Sequence, residues 1–385
     1  MTLEFILLLL ILPFFLITIL NVLFWPRIRR TSSDKHDFTN ALSVLVPARN
    51  EALTIAECVR SVLEQGPVVR EVLVYDDGSD DGTADIVKAL SESDQRVQLM
   101  SGAPLPEGWC GKPHACMRLS EKAQAPWMLF LDADARLKPN GALALLETAT
   151  KRNLTFLSAW PQFELRDFSE RLLMPMLNFF VFTLFPSPGA FISNNPRFGL
   201  AHGACILVEH TTYRRVGGHS LVRQELFEDT VLARRWRELG ERGLGLDGSE
   251  IVRVRMYEGL GTIWRGFQKN FYPGFRSKAV FWIFLFLHFA LYLLPFLALP
   301  FAVSGPEGGT VLGAALLVLG MRLLLAIRFG DPVWSFLLHP VAESFLLAVG
   351  IRSWWRWSHG GVDWKGRTYS SHITRGTIPE GMVRP

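Results

Sequence analysis

The sequence predicts an α/β protein, in which a cytoplasmic domain with a mostly parallel sheet is held between one N-terminal and two to three C-terminal membrane helices. Two observations predict this arrangement. Apolar residues make up 49% of the 385 residues and are concentrated in the first 25 residues and in residues 279–351, whereas charged residues make up only 20%. Between these regions, short β-rich runs alternate with amphipathic stretches, as in sheets whose parallel strands are joined by helices. This composition excludes an ordinary soluble globular protein and a disordered chain.

The first apolar run, residues 3–25, exceeds the roughly 20 residues that a helix needs to cross a bilayer. Positive charge follows this run at Arg27, Arg29 and Arg30, whereas a signal peptide carries it before the run. By the positive-inside rule we expect residues 1–30 to be a retained anchor, with the N-terminus outside and the following domain in the cytoplasm. The net charge of +4 is too small to indicate nucleic acid, and the four cysteines form no CxxC pair, which favours a reducing compartment.

Residues 38–273 are expected to form the α/β domain. Strands are predicted at 41–46, 71–75, 96–100 and 127–131, and helices at 52–65, 83–90 and 114–124. The first helix carries apolar Ile55, Cys58, Val59 and Val62 on one face. Acidic clusters follow several of these strands, and ligands of parallel sheets bind beyond the carboxyl ends of the strands. The sequence contains no GxxxxGK[ST], so it gives no support to a P-loop.

Three apolar runs follow the α/β domain, at 279–303, 310–327 and 333–351. We assign residues 276–351 to C-terminal transmembrane or interfacial helices and residues 352–385 to a basic aromatic tail. Three full crossings would place this tail outside, against the preference of positive charge for the cytoplasm. One run is therefore expected to be re-entrant or interfacial, and the third is the candidate.

The sharpest motif is Asp132-Ala133-Asp134, directly after the predicted strand 127–131. Two carboxylates at i and i+2 where a strand ends can both approach one site. Their oxygens suit Mg²⁺ or Mn²⁺, which commonly keep phosphate oxygens in the coordination shell. Asp132 and Asp134 are therefore candidate metal ligands; the alternative is a solvated turn.

Two further polar clusters, residues 47–51 and 76–83, close the first two predicted strands. Carboxylates there can accept hydrogen bonds from a nucleobase imide and from ribose hydroxyls. Helix capping by Asp80 or Thr83 is the alternative, and both roles are compatible.

Taken in order, these clusters and Phe227-Glu228-Asp229 resemble the family 2 glycosyltransferases of the Rossmann-like GT-A fold, over nearly the whole α/β domain. The membrane arrangement and residues 362–367 (VDWKGR) look like the subgroup that glycosylates membrane lipids such as carotenoids and hopanoids. The resemblance implies a nucleotide-sugar pocket, a metal-bound diphosphate and a catalytic base. The residues implied are Pro47, Arg49, Glu51, Asp76 and Asp77 for the nucleotide, Asp132 and Asp134 for ribose and metal, and Asp229 for the base.

The pair Glu228-Asp229 also fits catalysis on chemical grounds. An acceptor hydroxyl must lose a proton as it attacks the anomeric carbon, and a carboxylate within hydrogen-bond reach can take it. With a metal offsetting the charge of the leaving diphosphate, a single displacement with inversion is expected. The alternative is that the two acids complement the dipole of the predicted helix 230–239.

Three further positions are candidate ligands of the donor. Lys112 fits the GK-containing stretch of the family and can neutralise phosphate charge, or else is a solvated lysine. Residues 263–270 read IWRGFQKN where processive polysaccharide synthases carry QxxRW, so Arg265 and Lys269 are candidates for a basic gate over the diphosphate. His202 is a candidate for donor or acceptor contact, with a structural role as the alternative.

Residues 171–185 are strongly apolar and contain Pro175. They either dip into the membrane interface and admit a lipid acceptor or form a buried core helix. The sequence as a whole predicts an inverting glycosyltransferase of the cytoplasmic membrane, which moves a sugar from a UDP- or GDP-sugar to a carotenoid, hopanoid, sphingolipid or glycerolipid acceptor with Mg²⁺ or Mn²⁺. The alternatives are a polysaccharide synthase or polyprenyl-phosphate sugar transferase, and a non-catalytic membrane scaffold with a degenerate transferase domain.

Overall fold

The computed structural model describes residues 3–30, 38–102, 104–275, 277–302, 305 and 308–369. Its helices are α1 (Leu3–Phe24), α2 (Ile55–Leu63), α3 (Thr83–Ser93), α4 (Gly111–Lys122), α5 (Gly141–Lys151), α6 (Phe168–Leu173), α7 (Pro175–Phe182), α8 (Gly189–Ile192), α9 (His210–Val216), α10 (Glu228–Glu238), α11 (Gly259–Asn270), α12 (Lys278–Leu287), α13 (Leu294–Ala302), α14 (Gly308–Phe329) and α15 (His339–His359). Its strands are β1 (Leu42–Ala48), β2 (Val69–Asp76), β3 (Val97–Ser101), β4 (Trp127–Leu131), β5 (Ala135–Leu137), β6 (Phe156–Trp160), β7 (Gln162–Phe163), β8 (Cys205–Glu209), β9 (Gly243–Asp247), β10 (Val252–Val254), β11 (Val362–Trp364) and β12 (Arg367–Tyr369).

Seven strands form the central sheet in the order β3-β2-β1-β4-β8-β6-β9. All neighbours are parallel except β8, which is antiparallel to β4 and to β6. The predicted α/β fold with a mostly parallel sheet is thus confirmed. A small sheet, β5-β10-β7, follows directly after β4, so that Asp132 and Asp134 lie in the connection between the two sheets.

Alternation along the strands assigns the apolar side chains to two cores, one on each face of the sheet. Val44 and Val46 of β1 pack in a cluster with residues of α2, α3 and α5, whereas Leu45 packs in a second cluster with residues of α4 and α10. On α2 the predicted apolar face, including Cys58 and Val59, is fully buried. Covering both faces of the sheet with helices leaves the strand ends as the open edge of the domain.

Four helical segments are long and apolar enough to cross a membrane: Phe5–Phe24, Lys278–Ala302, Gly308–Phe329 and Val333–His359. A π-helical segment, His288–Leu293, joins α12 to α13, and a 3₁₀ segment, Val333–Leu338, precedes α15. Because α15 is continuous to His359, the predicted domain boundary between residues 351 and 352 falls within a helix.

The last of these segments has both ends next to elements of the α/β domain. Near its start, Asn178 of α7 donates a 3.0 Å hydrogen bond to Asp331. Near its end, Ser353 donates to the carbonyl of Gln268 in α11 at 2.6 Å. Between these two contacts, His339 lies against the carbonyl of Tyr292, within the neighbouring apolar helix pair. Both ends of the segment are therefore next to the α/β domain.

The apolar run 171–185 forms α6 and α7, which meet at Pro175. Phe179 and Phe182 are fully buried, and Phe182 packs against Trp25 and Phe329. The run is therefore a buried element between the sheet and the apolar helices, which favours the core-helix alternative.

Candidate active site

The site begins where β1 and β2 end, because their register pairs Ala48 with Asp76. Three hydrogen bonds join the two following loops: Asn50 N–H to Ser79 Oγ at 2.9 Å, Glu51 N–H to Thr83 Oγ1 at 2.8 Å, and Asp80 N–H to Asn50 Oδ1 at 3.0 Å. The clusters 47–51 and 76–83 therefore form one surface.

The start of α3 follows these two loops. Its N-cap residue is Gly82, and the side chain of Asp81 before it accepts the N–H of Thr83 at 3.0 Å; the sequence had pointed to Asp80 or Thr83.

Arg49 is held against the second of these loops. Its guanidinium donates to the carbonyls of Asp77 and Gly78, the latter at 3.2 Å. Pro47 lies in β1, opposite Tyr75 of β2. Both carboxylate oxygens of Asp76 accept long hydrogen bonds from Ser79 N–H, at 3.4 and 3.3 Å. The predicted nucleotide residues thus share one edge of the sheet, and the backbone of the second loop is braced by Arg49.

Lys112 joins the acidic motif after β4 to the acidic pair that opens α10. Its Nζ lies 2.7 Å from Oδ1 of Asp132 and 3.0 Å from Oε1 of Glu228. Helix α4 begins at Gly111, three residues before its predicted start, and this places Lys112 in the first turn. Burial alone would lower the pKa of Lys112, but Asp132 and Glu228 raise it well above its usual value. Lys112 is therefore a fixed cation between two carboxylates and not a solvated lysine.

The adjacent carboxyl groups of Glu228 and Asp229 lie in different environments. Burial, with Glu228 beside it, raises the pKa of Asp229 to about 7. Burial also opposes ionisation of Glu228, but Lys112 outweighs it and lowers the pKa of Glu228. Two titratable groups whose environments separate their pKa values are typical of acid–base sites. Asp229 is the member that can exchange a proton near neutral pH.

Asp229 is oriented by the backbone, because Gly203 N–H donates to its Oδ2 at 2.7 Å. The preceding His202 has a structural role: burial lowers its pKa to about 3, its Nδ1 accepts the N–H of Ala204 at 3.2 Å, and its ring packs edge-on against Trp160. Of the two alternatives for His202, the structure favours the structural one.

The environment of Asp134 bears on whether the site can hold a metal ion. Its Oδ1 is buried and has no hydrogen-bond partner, and burial, with Asp132 and Glu51 nearby, raises its pKa to about 8. An unpaired buried carboxylate oxygen is costly and calls for an explanation such as an ion. Among the described residues, no group of three or more His, Cys, Asp or Glu converges on one point. A cation at Asp132 and Asp134 would complete its shell with other oxygens, as Mg²⁺ and Mn²⁺ commonly do.

The two basic candidates on α11 lie in different surroundings. Lys269 is near the cluster: burial lowers its pKa to about 8, with Glu228 opposing the shift. Arg265, one turn earlier, is exposed and lines a groove of about 450 Å³ with Leu260, Trp264 and Phe345. The structure thus brings Lys269 to the carboxylates and leaves Arg265 at the groove.

Sequence reasoning used residues 362–367 only as a mark of the lipid-glycosylating subgroup, but two of these residues reach the site. Lys365 forms an ion pair with Glu51, and Arg367 pairs with both carboxylate oxygens of Asp77. The available signal was Gly366, since two-residue hairpin turns favour glycine at their second position.

Comparisons with known proteins indicate the family and the fold of this domain. Residues 43–228 match the family described as Glycosyl transferase family 2. Two relatives named 4,4'-diaponeurosporenoate glycosyltransferase come from Staphylococcus aureus. The one from strain MRSA252 is 27% identical over 347 residues and the one from strain USA300 is 26% identical over 346 residues; each alignment covers 86% of this chain and 88% of the relative.

A solved structure is similar over most of the chain. It is the mannosyltransferase PcManGT from Pyrobaculum calidifontis in complex with GDP-Man and Mn²⁺, which is 17% identical. The TM-score is 0.52, and the alignment covers 92% of this chain and 99% of that one. The similarity shows that the two chains share a fold.

Proposed function

We propose that this chain, whose residues 43–228 match the family described as Glycosyl transferase family 2, transfers a sugar from a nucleotide-sugar donor to a membrane-lipid acceptor, with inversion at the anomeric carbon. One observation carries this proposal. Lys112 contacts both Asp132, on the donor side, and Glu228, next to the proposed base. The groups proposed for donor binding and for proton transfer therefore lie close together, as catalysis by proximity requires.

The donor pocket is formed by the ends of β1 and β2. The carboxylates of Glu51, Asp76 and Asp77 offer acceptors for a base imide and ribose hydroxyls. The mannosyltransferase with the same fold was solved with GDP-Man and Mn²⁺. We carry over only the class of donor, a UDP- or GDP-sugar.

Mg²⁺ or Mn²⁺ would be held by Asp132 and Asp134 and would offset the charge of the leaving diphosphate. The fit rests on the unpaired buried Oδ1 of Asp134 and on an all-oxygen set of ligands. Lys112 adds a positive charge on the side of Asp132.

Asp229 would accept the proton of the attacking acceptor hydroxyl, while Gly203 N–H keeps its carboxylate oriented. Glu228 is paired with Lys112, so we assign it the role of a positioning residue. Because no side chain is required as a nucleophile, attack by the acceptor displaces the diphosphate directly. An α-linked donor would then yield a β-glycoside.

The groove between α11 and α15 supports a lipid acceptor. Leu260, Trp264 and Phe345 line it, with Arg265 beside them. Arg265 and Lys269 are four residues apart on α11, so their Cβ atoms lie about 6 Å apart along one face. An apolar chain in this groove would thus point its polar end toward the carboxylate cluster. The S. aureus relatives are named for 4,4'-diaponeurosporenoate, and a carotenoid-type acceptor with a hydroxyl or carboxyl group fits the same geometry.

We also propose that the protein is a multi-pass protein of the cytoplasmic membrane, with α1, α12–α13 and α14 crossing fully. Residues 331–359 would enter and leave on the cytoplasmic side, since Asp331 and Ser353 both contact elements of the α/β domain. This arrangement reconciles three apolar C-terminal runs with a cytoplasmic basic tail. It also keeps residues 38–273 on the side where nucleotide sugars are made.

The test is donor binding by the full chain in detergent, with UDP-glucose, UDP-N-acetylglucosamine and GDP-mannose, each with and without Mn²⁺. We expect Mn²⁺-dependent binding of at least one donor, and loss of that dependence in Asp134→Ala. Asp85→Ala, an exposed acid on α3, is the matched control. Absence of binding across the panel by folded protein would refute the proposal, and unchanged Mn²⁺ dependence in Asp134→Ala would refute the metal site.

A further inference from the structure

The tail hairpin, formed by β11, β12 and the turn Lys365-Gly366, reaches back to the α/β domain after α15. Trp364 pairs with Arg367 across the turn, and both central residues have positive φ, 46° for Lys365 and 78° for Gly366. This is the geometry of a type I′ turn, which suits glycine at both positions. Lysine rarely adopts left-handed backbone angles, and such a conformation persists where the surrounding contacts require it.

The surroundings of the turn are the proposed nucleotide pocket. The carbonyl of Lys365 accepts a 2.7 Å hydrogen bond from Nε of Arg49, and the ammonium group of Lys365 pairs with Glu51. Two nitrogens of Arg367 donate hydrogen bonds to the carboxylate of Asp77, and Nη2 donates to Oδ1 at 2.9 Å. The tail hairpin is thus attached to both loops that begin at the ends of β1 and β2.

These contacts engage the carboxylates that are proposed to bind the nucleoside. While Arg367 occupies both oxygens of Asp77, these oxygens are poorly available to a nucleobase, and Glu51 is engaged in the same way by Lys365. Both cationic side chains are about one quarter exposed, at 25% and 23%, so they can exchange partners without crossing the core. A donor that enters the pocket must therefore displace the side chains of Lys365 and Arg367 from these carboxylates. The diphosphate of the donor is an anion with which the two cations can pair instead.

The position of Lys365 also bears on the proposed diphosphate site. Besides its ion pair with Glu51, the charge of Lys365 acts on Asp134 and on Lys269, so Lys365 lies near the proposed metal ligands. Lys112 is held by Asp132 and Glu228. The tail hairpin supplies two cations on the open side of the pocket, where the exposed Arg265 does not reach the carboxylates.

We propose that Lys365 and Arg367 are donor-binding residues, which exchange Glu51 and Asp77 for the diphosphate of the nucleotide sugar and close the tail hairpin over it. A guanidinium fork and an ammonium group are both suited to diphosphate oxygens. The inference rests on the proposed function, since it requires a nucleotide diphosphate in this pocket. It assigns to the tail hairpin the role of the basic gate that the sequence placed on Arg265 and Lys269.

The experiment measures the Kd of the full chain in detergent with Mn²⁺, for the donor of the panel above that the wild type binds and for its free nucleoside diphosphate. Lys365→Ala and Arg367→Ala should each raise both Kd values by about tenfold or more, since one charge-assisted contact is lost. Lys365→Arg should stay within a few-fold of wild type. Lys88→Ala, an exposed lysine on α3, is the control, and thermal unfolding verifies that each variant is folded.

Each other outcome counts against the inference in a recognisable way. Unchanged Kd values in folded Lys365→Ala and Arg367→Ala would show that the contacts are only structural. Tighter binding would show that the tail hairpin blocks the pocket and contributes nothing to the bound donor. A wild type that binds no donor or nucleotide would overturn the proposed function together with this inference.

Discussion

The backbone N–H of Gly203 donates a 2.7 Å hydrogen bond to Oδ2 of Asp229, and this contact fixes the proposed base relative to the sheet. Gly203 lies just before β8, the antiparallel strand next to β4. The connection before β8 therefore reaches the same edge of the sheet as Asp132. A side chain at position 203 would meet Lys112 Nζ at 2.9 Å and Asp229 Oδ2 at 3.2 Å, so the position requires glycine for lack of space.

Gly203→Ala is expected to lower the turnover rate by about 10²-fold, because the new methyl group pushes Lys112 and Asp229 out of position. The fold should persist, since the nearest atom is the terminal Nζ of Lys112, which can shift without moving the backbone. Steady-state transfer assays and thermal unfolding measure the two effects. Gly309→Ala, where an added Cβ meets nothing within 4 Å, is the control, and an equal loss in both variants would contradict the argument.

Asp229→Asn should lower the turnover rate by roughly 10²–10⁴-fold while leaving the Kd of the donor unchanged, since the amide cannot accept the acceptor's proton. Single-turnover transfer and donor titration separate the two quantities. Asp85→Asn is the matched control on the surface. Full turnover by Asp229→Asn would remove Asp229 from the mechanism.

The pH dependence of kcat/KM should report the same group. Asp229 must be ionised to accept a proton, and its pKa is raised to about 7. Activity is therefore expected to be low in acid and to rise to a plateau as the pH passes about 7. This rise should disappear from the residual activity of Asp229→Asn; if it persists there, another group is titrating.

Asn21 couples α1 to the end of α7. Its Nδ2 donates to the carbonyls of Phe182 and Phe185, both at 2.7 Å, and its Oδ1 accepts from the N–H and the hydroxyl of Ser187. Asn21→Ala leaves these buried groups unpaired and should cost about 2 kcal/mol or more, a drop of several degrees in the thermal midpoint. Leu16→Ala, at a position of α1 that is 57% exposed, should shift the midpoint less. Equal shifts would mean that the hydrogen bonds are unimportant.

The proposed topology can be tested by cysteine labelling in right-side-out vesicles. All four native cysteines are free and buried, so an impermeant maleimide should report an added cysteine. Gly309→Cys, at the start of α14, should react from outside, whereas Ser358→Cys, at the exposed end of α15, should react only after permeabilisation. Labelling of Ser358→Cys in sealed vesicles would instead mean that the last segment crosses the membrane.

Local pattern predicted most of the α/β domain. Strand β4 was predicted with the bounds that the structure has, and the buried face of α2 followed from the spacing of Cys58 and Val59. The sequence could also predict that the acidic motifs share a site, because the carboxyl ends of neighbouring parallel strands meet at one edge. It was less successful at helix ends: the earlier start of α4 sets the position of Lys112, and backbone contacts with other segments decide such boundaries.

Features formed by adjacent residues could be read from the sequence alone. They are the apolar runs, the strand-end carboxylates and the acidic pair that opens α10. Only the tertiary structure decided which distant charges meet, since Arg367 lies 290 residues from Asp77 and Asn21 lies 166 residues from Ser187. Such pairs produce no periodic pattern in the sequence, because each depends on the path of the whole intervening chain. The roles of Lys365, Gly203 and Asn21 therefore became visible only once the sheet and the apolar helices were assembled.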